Sequence, residues 1–486
     1  MKHFTKIEKC ADLVLLGGVL ASILPLFYVF YYWGYTKQRS FDSPTQAFLY
    51  VGLPLIATAI LVALRRLKGE AKTASALIGI SLVGSVYGVE LFLQLSKPYL
   101  FSAIKPFWEF SGSEEAKQKA KELGRRHGID FDTREGHEVV ADLRKRGVDA
   151  VPSISAADQL LRWQPGQRVE SVIRIDGKEL IPLGGISNKV TVLCNENGYW
   201  VTYKSDERGF HNSPGQWASG PIDIAAAGDS YTQGYCVPPE RNYVHLVRQR
   251  YPAMLNLGIH GNGPLLMLAG ISEYLPLHKP KTVLWFYYEQ NDLIDLEFEK
   301  KSAFLMRYLE EGFTQKLAGR QSDIDGLLLA DLKRQKAVAE NMRGDTEQKG
   351  RNFTQSFMEF ARLYALRTRL GLADGGTSKP EVDLDLFATI LSLAKTRVGA
   401  WGGKLYFVYL PFWGRYTNIL DAASEQRASV LSSVKALAIP IVDLHPVFSA
   451  QIDPLSLFPF GQYGHYTERG HQLVADTVLE AIAKEK

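Results

Sequence analysis

Three apolar runs open the chain: residues 11–33, 46–64 and 74–96, separated by short polar stretches. Each has roughly the 20 residues a helix needs to cross a bilayer. The pattern therefore predicts three transmembrane helices within residues 1–100. Glu90 interrupts the third run, and a carboxylate there is expected to face another helix or an interface. From residue 101 the pattern changes. SEEAKQKAKELGRRHG reads as an exposed helix and EGHEVVADLRKRG as an amphipathic one. VESVIRI, KELIPLG, KVTVLC and YWVTY are β-prone runs broken by Gly, Asn and Asp. Residues 101–221 are thus expected to form a mixed helical and β-rich lead-in domain. From 222 to 486, buried strands such as IDIAAAG, MLNLGI, TVLWFYY, KLYFVYLP and PIVDL alternate with helices. That alternation predicts a parallel sheet covered on both faces. Residues 293–375 read as a charged helical insertion, expected to present a solvated face or to act as a lid beside the site.

Charge adds an orientation. Lys2, Lys6 and Lys9 precede the first run, and Arg65, Arg66, Lys68 and Lys72 fill the second loop. The first loop, with Lys37 and Arg39, is less basic for its length. The positive-inside rule places the N-terminus in the cytoplasm and everything after residue 100 on the other side of the membrane. A net charge of +4 over 486 residues, with no basic stripe, argues against a nucleic-acid partner. The three cysteines, Cys10, Cys194 and Cys236, show no zinc-ligand spacing. No metal or cofactor is expected. Cys194 and Cys236 both fall in the soluble part and would pair only in an oxidising compartment.

In doubly wound sheets, ligands gather at the carboxyl ends of the strands. After IDIAAA come Gly228, Asp229 and Ser230, in GDSYTQG. After MLNL comes GIHGNGP, with Gly258, His260 and Gly261. After TVLWFYY come Glu289, Gln290, Asn291 and Asp292. Before the last helix comes GQYGHYTERGH, with His465. Acyl transfer requires such a set. A serine hydroxyl is a weak nucleophile and needs a base within reach, and imidazole has the right pKa. The tetrahedral intermediate needs preorganised N–H donors.

With these residues in order, about 195–486 resembles the SGNH (GDSL) hydrolase superfamily. The resemblance implies a flavodoxin-like three-layer α/β/α domain, here behind a three-helix anchor. It implies Ser230 as nucleophile, His465 as base, and Gly261 (or Gly258 in the same turn) with Asn291 as oxyanion donors. Asp229, Gly258, His260, Glu289, Asp292 and Gln462 are further pocket candidates. Two positions depart from the family's pattern. Glu289 stands where a glycine often precedes the asparagine. Gln462 stands three residues before His465, where the family keeps an aspartate. Asp453 is the upstream candidate to orient the imidazole, and a Ser–His dyad is the alternative. The implied activity is ester chemistry on an acyl group. Together with the topology this predicts a periplasmic serine esterase or O-acyltransferase of the bacterial inner membrane, acting on an acylated polysaccharide. A non-catalytic glycan-binding envelope component and a lipid-directed esterase are the other readings.

Overall fold

A computed structural model gives the fold of residues 2–30, 48–100, 114–342 (165, 167 and 219 excepted), 360, 363, 366, 382–417 and 423–484. The chain divides into two compact units, Met1–Lys97 with Glu347–Thr377 and Pro98–Thr346 with Ser378–Lys486.

The first unit carries helices α1 (Lys2–Tyr28), α2 (Leu53–Arg65) and α3 (Gly69–Leu100). Its ion pairs sit at the end marked by the basic loop. Asp12 accepts from Arg65 at 2.8 Å and from Lys72 at 3.1 Å, and Glu8 accepts from the Gly69 N–H at 3.0 Å. Farther along, the Ser22 and Thr58 hydroxyls join α1 to α2 at 2.8 Å. Leu24, Phe27, Leu77, Ile78, Leu82 and Phe92 face outward, an apolar surface of the kind that water does not favour. Among the described residues, one stretch, Gly69–Phe92, is long and apolar enough to cross a membrane, and Leu53–Arg65 is a shorter apolar helix. Helices thus stand in all three expected places, while one of them combines the length and the apolar composition of a span among the described residues. Residues 31–47, which hold parts of the first two expected spans, lie outside the described residues. Glu90 is buried and accepts the Leu366 N–H at 2.7 Å.

The second unit begins with helices α4 (Glu114–Arg126) and α5 (Gly136–Lys145), the latter opened by a Glu135–Glu138 capping box. A small sheet follows in the order β1 (Ala150–Pro152), β2 (Val190–Cys194), β3 (Val201–Lys204). The main sheet contains β4 (Ile224–Ala227), β5 (Met254–Asn256), β6 (Thr282–Tyr288), β7 (Lys404–Leu410) and β8 (Ile441–Asp443). Every pairing is parallel, in the spatial order β8-β7-β6-β4-β5. This is the flavodoxin-like winding, and its direction reverses between β4 and β6. Alternation along each strand feeds two cores. Ala225, Val283, Trp285, Phe407 and Tyr409 pack on α8 (Pro264–Tyr274) and α11 (Leu384–Ala400). Ile224, Leu284, Phe286, Val408 and Leu410 pack on α7 (Tyr243–Arg248) and α12 (Glu468–Ala483). The three-layer expectation is met by this period-2 division of side chains.

The expected boundary at 221/222 does not separate two units. The DERGFHN segment explains the fusion. Asp206 accepts the backbone N–H of Arg208 and Phe210 on one oxygen and the Asn212 and Trp217 side chains on the other. Asn212 in turn donates to the carbonyl of Asn256 in β5 and accepts its N–H. The expected insertion is divided as well. Leu293 and Leu296 of α9 (Asp292–Glu299), and Ile324 and Leu328 of α10 (Gln321–Met342), are core residues of the second unit. Of the stretch that follows, the described Phe360, Leu363 and Leu366 group with the first.

Candidate active site

The nucleophile turn is built by sterics. A Cβ on Gly228 would lie 2.0 Å from the Thr232 hydroxyl and 3.1 Å from Phe286 Cβ, so only glycine lets β4 pass into α6 (Ser230–Gln233) this closely. Asp229 caps that turn, its Oδ1 accepting the Tyr231 N–H at 2.9 Å. Burial pushes the Asp229 carboxyl up to about 6, against the pull of His465, the Tyr231 N–H and the Asn291 amide. Asp229 is thus a structural cap beneath Ser230.

Ser230 Oγ lies 2.8 Å from His465 Nε2. His465 Nδ1 lies 2.6 Å from Glu196 Oε1, and the His465 backbone N–H donates to Glu196 Oε2 at 2.8 Å. Glu196 is buried. As a carboxylate it only accepts, so Nδ1 carries the proton and Nε2 is left to accept from the serine hydroxyl. The tautomer a general base requires is therefore set by two contacts from one carboxylate. The flanking asparagines hold that carboxylate in place. Asn195 donates to the Asp132 carbonyl and Asn197 to the Cys236 carbonyl, both at 2.7 Å. A Cys194–Cys236 disulfide ties the end of β2 to the segment just after α6. Tyr231 and Tyr235 pack on the imidazole, with ring centroids 4.5 and 4.7 Å away.

Several expected site residues sit elsewhere. Asp453 is not the orienting carboxylate. It is exposed and caps Pro454–Leu457, accepting the Leu455 N–H at 3.1 Å. Gln462 is exposed and does not line the cavity at Ser230. Glu289 is a buried structural anchor, accepting from Arg415 Nε at 2.7 Å and from the Phe412 N–H at 3.0 Å. Asp292 is buried under the strand end and accepts the Tyr288 N–H at 3.1 Å. Gly258 donates its N–H to Asn256 Oδ1 at 2.8 Å, which leaves Gly261 as the oxyanion candidate of that loop. Gly261 has φ +75°, which favours glycine, and lines the cavity together with Asn291. His471 packs away from the site. Its Nδ1 accepts the Tyr243 N–H at 3.2 Å, and burial lowers its pKa to about 3.

The cavity holding Ser230 and His465 has a volume of about 420 Å³. Besides Gly261, Asn291 and His260, it is lined by Asp158, Asp295, Gln290 and the aromatic rings of Tyr231, Tyr235, Tyr288 and Tyr463. It opens at the carboxyl ends of β4 and β6, the point where the winding reverses. Chemically, this arrangement can activate a hydroxyl and transfer an acyl group to it. Glu196 and Asp158, both before residue 222, were not among the sequence candidates. Nothing local distinguishes them among 52 acidic residues, although the CNEN run at the end of a predicted strand was a place to look.

A serine, an imidazole and a buried carboxylate, joined in line at the carboxyl edge of a flavodoxin-like sheet, have the geometry of a Ser–His–acid triad. No family model matches the chain, and no curated protein matches it in sequence. Solved structures do match. A member of the lipolytic protein G-D-S-L family from Veillonella parvula is 14% identical with a TM-score of 0.29, covering 53% of this chain and 97% of its own. The lipase/acylhydrolase from Enterococcus faecalis is 12% identical with a TM-score of 0.31, covering 54% and 96%. The acetyl xylan esterase AlAXEase is 12% identical with a TM-score of 0.31, covering 54% and 100%.

Proposed function

We propose that the chain is a membrane-anchored serine esterase or O-acyltransferase whose substrate is an acylated glycan outside the cytoplasm. The observation that carries this reading is the Ser230–His465–Glu196 relay, with contacts of 2.8 and 2.6 Å. Ser230 Oγ attacks the ester carbonyl and gives its proton to His465 Nε2. The oxyanion is held by N–H groups of Ser230, Gly261 and Asn291. The C–O bond to the alcohol breaks, and that alcohol leaves with the proton from His465. Water or a sugar hydroxyl then attacks the acyl-enzyme and returns its proton through His465, freeing Ser230.

The two departures that favoured a non-catalytic component have structural counterparts: Glu196 supplies the missing carboxylate, and Glu289 pairs with Arg415. A tyrosine-ringed, polar cavity suits a sugar ester better than a long acyl chain. The basic loop and the outward apolar residues of the first unit support the anchor and its orientation. The test is acetate release from an acetylated glycoside by the detergent-solubilised full chain beside Ser230→Ala. Turnover by the wild type alone is expected, and equal rates would refute the reading. Topology is tested by labelling a single cysteine placed at exposed Ile452 in intact cells. Labelling by a membrane-impermeant maleimide is expected, and labelling only after lysis would overturn it.

A further inference from the structure

One wall of the catalytic cavity consists of hydrogen-bond acceptors. Its centre is His260, whose tautomer can be read from its neighbours. The His260 backbone N–H donates to Gln233 Oε1 at 2.9 Å, while Gln233 Nε2 donates to the Tyr203 hydroxyl at 3.1 Å. The orientation of that amide is thereby fixed. The same Oε1, which can only accept, lies 3.1 Å from His260 Nδ1, and the Ser153 hydroxyl, which accepts from Gln233 Nε2, lies 3.3 Å from it, so a proton on Nδ1 suits both neighbours. In the neutral ring Nε2 then bears a lone pair. Burial, ahead of the opposing Asp158 charge, lowers the proton affinity of His260, and nearby His465 acts in the same direction. Yet Nε2 lies 3.5 Å from Asp158 Oδ2, an acceptor facing an acceptor. Asp295 lines the same cavity with a buried Oδ2 that has no hydrogen-bond partner among the described residues, and burial together with the neighbouring Glu299 raises its carboxyl well above the usual carboxylate range, so it presents a neutral carboxyl that can donate or accept. The described residues lining this cavity include no Lys or Arg.

We propose that His260 Nε2, Asp158 and Asp295 form a hydroxyl-binding subsite that seats the sugar half of the ester and discriminates against anionic sugars. This rests on the esterase reading above and narrows its substrate class to neutral, hydroxyl-rich glycans. The chemistry follows from the acceptor count. Adjacent sugar hydroxyls are donors and satisfy a lone pair and a carboxylate placed side by side. A carboxylate or phosphate on the substrate meets the Asp158 charge with no Lys or Arg among the described lining residues to offset it. Asp158 comes from the 156–160 turn of the lead-in region, and Gly261 sits against it, with an added Cβ falling 3.0 Å from Asp158 Oδ1. The lead-in region thus supplies substrate contacts as well as Glu196.

The experiment uses the solubilised full chain and three acetyl esters: a monoacetylated methyl xyloside, the matching acetylated methyl glucuronide, and 4-nitrophenyl acetate, whose alcohol half has no further hydroxyl. The variants are Asp158→Asn and His260→Asn. The second keeps a donor near the Nδ1 position and deletes Nε2. The expected result is a fall of about ten-fold or more in the ratio of kcat/KM for xyloside over aryl ester, carried mostly by KM. Asp158→Asn also narrows the preference for xyloside over glucuronide. Ratios within about two-fold of wild type, meaning equal losses on both esters, show a merely structural role and overturn the subsite alone. A wild type inert on all three esters overturns the esterase reading and the subsite with it.

Discussion

Replacing Glu196 by glutamine tests whether the relay depends on a carboxylate. Glu196 makes two contacts with His465, one to Nδ1 at 2.6 Å and one to the backbone N–H at 2.8 Å. Both are donors, and a carboxylate accepts both. An amide accepts only one. If its oxygen stays on Nδ1, the NH₂ group faces the His465 backbone N–H, and a buried donor is left against a donor. If it flips, the NH₂ group donates to Nδ1, and the proton moves to Nε2. That tautomer cannot take the Ser230 proton. Either outcome removes the orientation and the stabilisation of the imidazolium formed in the transition state. Substitution of the equivalent carboxylate in serine proteases costs about ten-thousand-fold in kcat through the wrong tautomer. A loss of about a thousand- to ten-thousand-fold, or roughly 4–5.5 kcal/mol of transition-state stabilisation, is expected here. The assay is hydrolysis of 4-nitrophenyl acetate by the solubilised protein, with kcat and KM separated. KM should move little, because Glu196 does not line the cavity at Ser230. A Glu196→Gln enzyme within about ten-fold of wild type in kcat would refute the reasoning.

Other expectations follow from the same geometry. Asp453→Ala should lose only a helix cap, about 1 kcal/mol of stability, and keep kcat within about two-fold; a collapse of kcat would restore Asp453 to the relay. The Cys194–Cys236 bridge closes a loop of sequence separation 42, for which chain entropy predicts up to about 4 kcal/mol of stabilisation. The Cys194→Ser/Cys236→Ser double variant should melt lower and lose kcat, because the bridge joins the strand end that carries Glu196 to the segment after Ser230. Unchanged kcat would show that the asparagine clamps suffice. His471, buried with its pKa lowered to about 3, stays neutral in the folded state and takes a proton only on unfolding. Its stabilising share is present above the unfolded value near 6.5 and is lost as pH falls. Between that value and pH 5 the loss is about 2 kcal/mol. Differential scanning calorimetry should show a smaller drop in Tm from pH 7 to pH 5 for His471→Gln than for wild type, and an equal drop would refute the assignment.

The sheet was legible because the strands of the α/β part are short apolar runs that carry their own period. Ser230 and His465 were legible because the chain marks them with a glycine turn at one strand end and with a capped final helix. Glu196 was not, for a physical reason. It meets His465 across 269 residues and sits in a loop, where no period reports which face a side chain takes. Asp453 was a reasonable candidate by proximity in sequence, but a residue next to a proline at a helix start is better used as a cap. The lead-in region reads as separable because the alternation of strands and helices begins only at 222. Its fusion to the α/β part depends on Asn212, which reaches Asn256 across 44 residues, and on the Cys194–Cys236 bridge across 42, long-range contacts invisible to a local reading.

The central claim is that Ser230 is a nucleophile activated by His465 and Glu196. Its most direct test is treatment of the solubilised full chain with a fluorophosphonate, followed by peptide mass spectrometry. The account predicts one phosphonyl adduct on Ser230, abolished in Ser230→Ala and strongly slowed in His465→Ala and Glu196→Gln. Absence of an adduct on wild-type Ser230, or labelling that persists at the same rate in His465→Ala, would contradict it.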